Sequence, residues 1–306
     1  MQRQNFELLI LGTSSAAPTT KRNPSAQLLN VAERFFLIDC GEGTQIQLRK
    51  YKTKFQKIDH IFISHLHGDH FLGLPGLLAS MHLLGRKQEI NIYCPKELKE
   101  IIDKLNSVSE TKMNYDIKWH FTKNDKINSL FEDEKVEVHS FPMKHRIFCT
   151  GFLFKEKPLL RKIDKFKLDK NKVSTADINN LRKGEDVVNA DGKKVKNKEV
   201  TIDPELARSF AYCSDTIYDE NLVKYIKDVD LLYHESTFLN DKAKRAEETF
   251  HSTAEQAAKI AKAAKVKQLI LGHYSARYGD LTPFIDEASP YFKNVMLATE
   301  GKKFKI

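Results

Sequence analysis

The sequence lacks most of the features that mark membrane, secreted and zinc-finger proteins. None of the apolar runs in its 306 residues approaches the roughly 20 residues that a membrane-spanning helix needs. The first residues show neither the basic nor the apolar region of a secretory signal peptide. The four cysteines form no CxxC pair, which predicts buried thiols and not a disulfide framework or a zinc knuckle. We therefore expect a cytoplasmic protein with no membrane segment.

Positive charge is concentrated in one part of the chain. Residues 155–198 contain 14 lysines and arginines against 7 acidic residues, so they carry +7 of the net charge of +9. A basic segment on a nearly neutral body is typical of an appendage that binds a polyanion. The same composition also occurs in solvated insertions with little packing, so charge alone leaves both interpretations open.

Strand-like and helix-like segments alternate along the rest of the chain, which predicts the α/β class. The sequence shows no internal repeat and no low-complexity tract. The predicted helices span 45–51, 71–84 and 253–265. The predicted strands span 6–12, 26–32, 34–39, 59–63, 89–94, 117–122, 134–141, 150–155, 209–213, 230–233, 267–271 and 294–298.

The segment with the clearest chemistry is Ser64-His65-Leu66-His67-Gly68-Asp69-His70, which holds three imidazoles and a carboxylate. These are the nitrogen and oxygen donors that zinc selects. The segment follows a predicted buried strand, so it lies at the end of the strand where α/β sheets bind ligands. His65 and His67 point to the same side of an extended chain and can grip one cation. Asp69 and His70 lie beyond the next turn and can hold a second.

One such segment cannot supply two complete sets of ligands, so further donors must come from elsewhere in the chain. His145, Asp215 and His273 each stand at a predicted strand-to-loop junction, as the first cluster does. A carboxylate at such a junction can bridge two cations, which a histidine cannot do. The histidines inside predicted strands or on an apolar helix are interpreted as structural; they are His60, His82, His120 and His139.

The order His65-x-His67-x-Asp69-His70, followed by His145, Asp215 and His273, resembles the metallo-β-lactamase superfamily of two-metal hydrolases. Further stretches resemble one family within it, tRNase Z (ribonuclease Z), which removes the 3′ trailer from precursor tRNA. The resemblance runs from Leu9 to Tyr278. The stretches are Pro18-Thr19-Thr20-Lys21-Arg22-Asn23, Asp39-Cys40-Gly41-Glu42-Gly43-Thr44-Gln45, His234-Glu235-Ser236-Thr237, His251-Ser252-Thr253 and Gly272-His273-Tyr274-Ser275-Ala276-Arg277-Tyr278.

The resemblance implies a metallo-β-lactamase αβ/βα four-layer sandwich with an inserted basic arm. Residues 1–306 would form a single domain, and the basic segment 155–198 would be the arm that binds tRNA. The resemblance also implies two zinc ions per subunit. One is held by His65, His67 and His145, the other by Asp69, His70 and His273, and Asp215 bridges them.

The activity implied is a zinc-dependent endoribonuclease that leaves a 3′-hydroxyl on the tRNA and a 5′-phosphate on the trailer. Two cations suit this reaction because they provide an activated water and stabilise the charge on the attacking and leaving oxygens. Asp69 is the residue expected to accept the proton of the attacking water. His251, paired with Glu235, is expected to protonate the leaving oxygen.

The resemblance also implies how the substrate is held, with precursor tRNA as the partner and a homodimer in which one subunit's arm serves the other's site. The arm tip, 173–180, lacks the usual glycine and proline, and Lys21 stands directly beside Arg22, whereas the usual pattern separates the two by one residue. The residues expected to bind substrate are Lys21, Arg22 and Asn23 in the loop, and Lys162, Lys165, Lys167, Arg182 and Lys183 in the arm.

Three alternative functions stay open at the level of sequence. A hydrolase of thioesters, lactams or small phosphodiesters with the same fold has no need of a basic arm, and a lactamase commonly has cysteine in place of Asp215. A nuclease with a large inserted cap is a second alternative, although only 57 residues separate Asp215 from His273. The third is a non-catalytic tRNA-binding protein with structural metals. Structural zinc sites are usually closed and rich in cysteine, unlike this set.

Overall fold

The computed structural model describes residues 4–306, which divide into two compact units. The main unit consists of the chain up to Lys155 together with Arg208–Ile306, and the inserted unit is Glu156–Ala207. None of the helices in residues 4–306 combines the length and apolarity that a bilayer crossing requires. All four cysteines are buried free thiols, as the sequence predicts.

The main unit contains two seven-stranded sheets that mix parallel and antiparallel pairs. In the spatial order of its strands, the first sheet consists of Lys303–Lys305, Phe6–Gly12, Ala26–Val31, Arg34–Cys40, Ile58–Phe62, Ile90–Cys94 and Ile117–Phe121. The second sheet consists of Val295–Leu297, Gln268–Gly272, Leu231–Glu235, Ser209–Cys213, Thr150–Glu156, Val136–Pro142 and Asn128–Glu132. A short parallel pair, Ser14–Ser15 with Tyr274–Ser275, joins the loops at one end.

The apolar run in the strand Phe6–Gly12 is explained by burial on both faces of its sheet. Leu8 and Ile10 belong to the core between the two sheets, whereas Leu9 and Leu11 belong to a second core beneath helices. Between the sheets the ring of Phe62 lies 5.3 Å from that of Phe152, centroid to centroid. Helices therefore cover the outer face of each sheet, and the layer order is helix, sheet, sheet, helix.

The helices of the main unit agree in part with those predicted. The predicted 45–51 and 253–265 are observed as Thr44–Lys50 and Ala254–Ala263, and a reciprocal capping box between Thr253 and Gln256 starts the latter. The predicted 71–84 is two helices, Gly68–Phe71 and Leu74–Leu83. The helices not predicted from the sequence are Glu97–Val108, Val223–Ile226, Ala243–Thr249 and Thr282–Ala288.

Two edge strands were also not predicted. Asn128–Glu132 and Lys303–Lys305 have few apolar side chains, and each forms because a longer neighbour offers it a partner. Edge strands that contribute so little to a core carry a weak hydrophobic pattern. The helix Glu97–Val108 is a different case, because Leu98, Ile101, Ile102 and Leu105 recur at the spacing of an amphipathic helix, so its sequence does carry the signal although only Leu98 and Ile102 are buried.

The inserted unit has a small core of its own, made of Leu168, Val173, Leu181, Val187, Val195 and Val200. Its helices are Lys165–Lys170, Ile178–Lys183 and Asn197–Val200, and its strand pairs are Lys162–Ile163 with Thr201–Ile202 and Val187–Val188 with Lys194–Val195. Because Thr201–Ile202 closes the first pair, the unit continues to Ala207, beyond the end at 198 predicted for the basic arm. It contains 13 basic and 10 acidic residues, so its net charge is +3 and lower than that of 155–198.

Candidate metal centre

The ends of several strands bring the predicted ligands to one edge of the two sheets. The carboxyl ends of neighbouring strands meet at such an edge, which is where α/β sheets bind ligands. The loops that follow Ile58–Phe62, Val136–Pro142, Ser209–Cys213 and Gln268–Gly272 carry His65, His145, Asp215 and His273, in that order. His67, Asp69 and His70 complete the cluster from the loop and short helix after His65.

The first group of side chains is His65, His67, His145 and Asp215, whose ligand atoms lie within 4.8 Å of one another. Nδ1 of His67 is 3.1 Å from Nε2 of His65 and 3.1 Å from Nε2 of His145. Oδ2 of Asp215 is 3.4 Å from Nε2 of His65. Three imidazoles and one carboxylate therefore converge on one point.

The second group is Asp69, His70 and His273. Nε2 of His273 lies 3.2 Å from Nε2 of His70 and 3.2 Å from Oδ2 of Asp69. It also lies 3.3 Å from Oδ1 of Asp215. Asp215 therefore presents one oxygen to each group and stands between them.

The donor atoms of both groups fit divalent cations. Oδ1 of Asp215 is buried and has no hydrogen-bond partner within residues 4–306, which is costly unless a positive charge balances it. The imidazole nitrogens face one another at 3.1 to 3.2 Å, as ligands of a shared cation do. Histidine nitrogen and carboxylate oxygen are the donors of catalytic zinc sites.

Asp39 supports this centre from behind and was not predicted as a site residue. Its carboxylate accepts hydrogen bonds from Nδ1 of His70 at 2.7 Å, from the hydroxyl of Tyr212 at 2.7 Å and from the backbone N–H of Ser64 at 2.8 Å. The bond to Nδ1 leaves Nε2 of His70 as the atom that faces the cluster. Asp39 is the first residue of one of the stretches that carry the family resemblance, and that stretch is the sequence signal by which Asp39 could have been predicted as a site residue.

His145 and His273 are oriented in the same way. Nδ1 of His145 donates to the carbonyl oxygen of Phe250 at 2.9 Å, and Nδ1 of His273 contacts the hydroxyl of Thr237 at 2.9 Å. Phe250 and His273 hold left-handed φ angles of 58° and 60°, which cost non-glycine residues energy. The hydrogen bond at Nδ1 therefore directs Nε2 of each ring into the cluster, and the left-handed backbone at Phe250 and His273 accompanies it.

The electrostatics of the cluster keep two of its histidines neutral and surround a third with negative charge that a bound cation would balance. Burial lowers the pKa of His67 and of His145 to about 4 each, so both rings offer a lone pair at neutral pH. Burial also lowers the pKa of His70, but the nearby carboxylates, led by Asp215, raise it well above its ordinary value. Burial raises the pKa of Asp215, yet the surrounding histidines, led by His273, hold it well below the usual range.

His251 and Glu235 lie beside the metal ligands as a pair. Nδ1 of His251 is 3.1 Å from Oε1 of Glu235 and 4.0 Å from Oδ2 of Asp215. Glu235 is fully buried and accepts hydrogen bonds from backbone N–H groups, among them that of Thr237 at 2.8 Å. Burial lowers the pKa of His251, but Glu235 and then Asp215 raise it to about 9. A protonated imidazole at the edge of the site can donate a proton.

The loop residues predicted to bind substrate are placed differently from one another. The guanidinium of Arg22 donates to the carbonyl oxygens of Tyr278 at 2.8 Å and Ser275 at 3.2 Å. The side-chain amide of Asn23 donates to Glu300 at 2.8 Å. Both residues therefore hold the loop in place through contacts inside the protein, whereas Lys21 is exposed.

The basic residues predicted in the arm all lie on the surface of the inserted unit. Lys162, Lys165, Lys167, Arg182 and Lys183 are exposed. Nζ of Lys167 is 3.5 Å from a carboxylate oxygen of Asp164, an exposed pair of little energetic weight. The unit therefore offers these charges to solvent and not to its own core.

Comparisons with known proteins agree with this fold. A family model described as "Anti-Pycsar protein Apyc1" matches residues 6–182, and one described as "Beta-lactamase superfamily domain" matches residues 176–274. Each covers only part of the chain. "Ribonuclease Z" of Phocaeicola vulgatus is 43% identical over 99% of this chain and 98% of its own length. "Ribonuclease Z" of Cytophaga hutchinsonii is 48% identical over 99% and 96%.

Two solved structures show the same architecture. Human tRNase Z, short form, is 30% identical and superposes with a TM-score of 0.70 over 97% of this chain and 98% of its own. The metallo-β-lactamase fold protein YhfI of Bacillus subtilis is 18% identical, with a TM-score of 0.71 over 99% and 100%. The predicted metallo-β-lactamase sandwich is thereby confirmed.

Proposed function

The chain belongs to the ribonuclease Z family, and on that premise we propose that it is a zinc-dependent endoribonuclease that removes the 3′ trailer from precursor tRNA. The observation that carries the proposal is the convergence of seven ligand side chains in two groups that share Asp215. Water is the nucleophile in this reaction and the 3′ oxygen of the tRNA is the leaving group, so the tRNA keeps a 3′-hydroxyl and the trailer a 5′-phosphate. The 2′-hydroxyl of the substrate takes no part.

Proteins of the metallo-β-lactamase fold bind divalent cations, and the donors here suit two zinc ions per subunit. His65, His67 and His145 would hold one, Asp69, His70 and His273 the other, and Asp215 both. Bound cations supply an activated water at neutral pH and offset the charge on the phosphoryl and leaving oxygens. The hydrogen bonds of Asp39, Thr237 and Phe250 keep the ligand rings in the required tautomer and orientation.

Asp69 is proposed to accept the proton of the attacking water. Its Oδ2 receives a hydrogen bond from the backbone N–H of Ala16 at 2.7 Å and faces His273 at 3.2 Å. Burial raises the pKa of Asp69, but His70 and His273 hold it well below the usual range, so the carboxylate is ionised at neutral pH. An ionised carboxylate fixed at the centre of the cluster is placed to take a proton.

His251 is proposed to protonate the leaving oxygen, and its charge predicts a pH dependence. Glu235 raises the pKa of His251, so this donor loses its proton only as the pH rises above the ordinary range of histidine, and cleavage of precursor tRNA should fall there. Glu235→Gln removes the main charge that raises this pKa, and the fall should move to lower pH. A nitrophenyl phosphodiester is the control, because its leaving group departs as a stable anion. A profile on precursor tRNA that Glu235→Gln leaves unchanged would contradict the role.

We propose that the exposed lysines and arginines of the inserted unit bind tRNA and that Lys21 contacts the substrate near its 3′ end. Double-stranded RNA is recognised mainly through its shape and phosphates, which suits exposed cationic side chains. Arg22 and Asn23 act in this proposal by fixing the loop that carries Lys21.

The four buried thiols support the proposal that the enzyme works in a reducing, cytoplasmic environment.

We also propose that the protein is a homodimer, with the helices over the first sheet forming the interface. Large apolar side chains are exposed on the helices Thr44–Lys50, Leu74–Leu83 and Glu97–Val108. These side chains are Ile46, Leu83, Leu105 and Val108, with Leu72 and Leu84 beside them. An exposed apolar surface of this kind marks an interaction site. Sedimentation velocity should give a dimer mass for the wild type and a monomer mass for Leu83→Lys. A monomeric wild type at micromolar concentration would refute the dimer.

The function is tested by cleavage of a precursor tRNA that carries a 3′ extension, before and after chelation and after return of zinc. We expect one cut next to the discriminator base, lost on chelation and restored by zinc. The product ends are mapped by their reactivity toward ligase and phosphatase. If precursor tRNA stays intact while a small phosphodiester is hydrolysed, the tRNA-processing function is wrong and a small-molecule hydrolase is favoured.

A further inference from the structure

Arg146 stands at the mouth of the metal centre. It follows His145 directly, its side chain is exposed, and its Nη2 lies 3.2 Å from Nε2 of His67. Within residues 4–306 no carboxylate lies at ion-pair distance from its guanidinium. An arginine carries only donors, and those of this exposed side chain are free to bind an acceptor that a ligand brings.

The contact between His67 and Arg146 is a hydrogen bond only if Nε2 of His67 carries no proton, so the tautomer of His67 has to be established first. Nδ1 of His67 faces Nε2 of His65 and Nε2 of His145, each at 3.1 Å, so it is the atom directed at a cation. A ligating Nδ1 carries a lone pair, and the proton of the neutral ring is then on Nε2. Nε2–H of His67 and Nη2 of Arg146 are therefore two donors side by side, and both lack an acceptor from the protein.

We propose that Arg146 and Nε2–H of His67 together bind one phosphate of the RNA backbone beside the scissile phosphate. The proposal rests on the function proposed above and adds a phosphate-binding residue to it. The four carboxylates in and around the centre can balance two divalent cations, so the guanidinium is positive charge available to the substrate; they are Asp39, Asp69, Asp215 and Glu235. A guanidinium binds a phosphate through paired N–H groups, which fixes its orientation as well as its position.

The test compares Arg146→Gln with Lys144→Gln, which removes the same charge from an exposed side chain on the same loop. Each protein is given precursor tRNAs with a single methylphosphonate linkage, which removes the charge of one phosphate, at successive positions around the cleavage site. In the wild type and in Lys144→Gln, one linkage next to the scissile phosphate should raise KM about tenfold. Arg146→Gln should have that higher KM on unmodified RNA and be insensitive to the same linkage.

Zinc affinity distinguishes phosphate binding from a merely structural contact. If Arg146 only held the ring of His67, Arg146→Gln would bind zinc more weakly and saturating zinc would restore its KM. We expect unchanged zinc affinity and a KM that zinc does not restore, with partial recovery in Arg146→Lys. Equal sensitivity of Arg146→Gln and the wild type to every linkage would overturn the inference while leaving the nuclease function in place. No cleavage of unmodified RNA by the wild type would overturn both.

Discussion

Replacement of Asp69 with alanine is expected to abolish cleavage of precursor tRNA, with a loss of about 10³-fold or more, and to leave tRNA binding largely intact. Asp69 combines two roles in the proposed mechanism, since its Oδ2 lies among the ligand atoms of the second group and accepts a hydrogen bond from Ala16. The residues proposed to bind tRNA lie elsewhere in the chain. Single-turnover cleavage and filter binding of the same RNA measure the two effects separately.

The control for this prediction is Asp125→Ala, which removes an exposed carboxylate and should change neither quantity. Asp69→Asn keeps the size of the side chain and tests whether charge is what matters. Zinc content should be measured for each variant, because loss of a ligand lowers occupancy. An equal loss of cleavage and of tRNA binding in Asp69→Ala would show that Asp69 holds the substrate and would remove its assigned role.

Removal of the inserted unit is expected to reduce kcat/KM for precursor tRNA by about 10³-fold while hydrolysis of a small phosphodiester stays within about twofold. The deletion variant is designed from the antiparallel pairing of the strands on either side of the insertion, in which Lys155 lies opposite Ser209. Replacing 157–207 with Asn-Gly should therefore close a tight hairpin. Phosphate contacts supply most of the affinity for RNA, and the small ester makes none of them.

A full-length variant separates charge from shape in this prediction. The unit should keep its core when five of its exposed basic residues are changed to glutamine; they are Lys162, Lys165, Lys167, Arg182 and Lys183. Each phosphate contact removed should reduce the slope of log affinity against log salt by about 1. Unchanged cleavage of tRNA by the shortened protein would refute the arm as a binding element. Loss of small-ester hydrolysis would instead indicate damage to the metal centre.

The sequence by itself determined the α/β class, most strands of both sheets and the residues that converge at the centre. These could be predicted because the signals are local. A buried strand needs a continuous apolar run, as in Leu8–Leu11, and a metal centre needs donor atoms such as those packed between His65 and His70. The match of several short stretches to one family then connected distant residues such as Asp215 and His273.

Only the tertiary structure decided how those residues are oriented and what supports them. Asp39 and Tyr212 are hydrogen-bonded although 173 positions apart, and Arg146 meets His67 from 79 positions away. No local pattern encodes such contacts. The end of the inserted unit at Ala207 and the edge strand Lys303–Lys305 were likewise decided by pairing with distant partners. Local sequence specifies which groups are available, whereas packing over long separations fixes their distances and directions, and the chemistry depends on both.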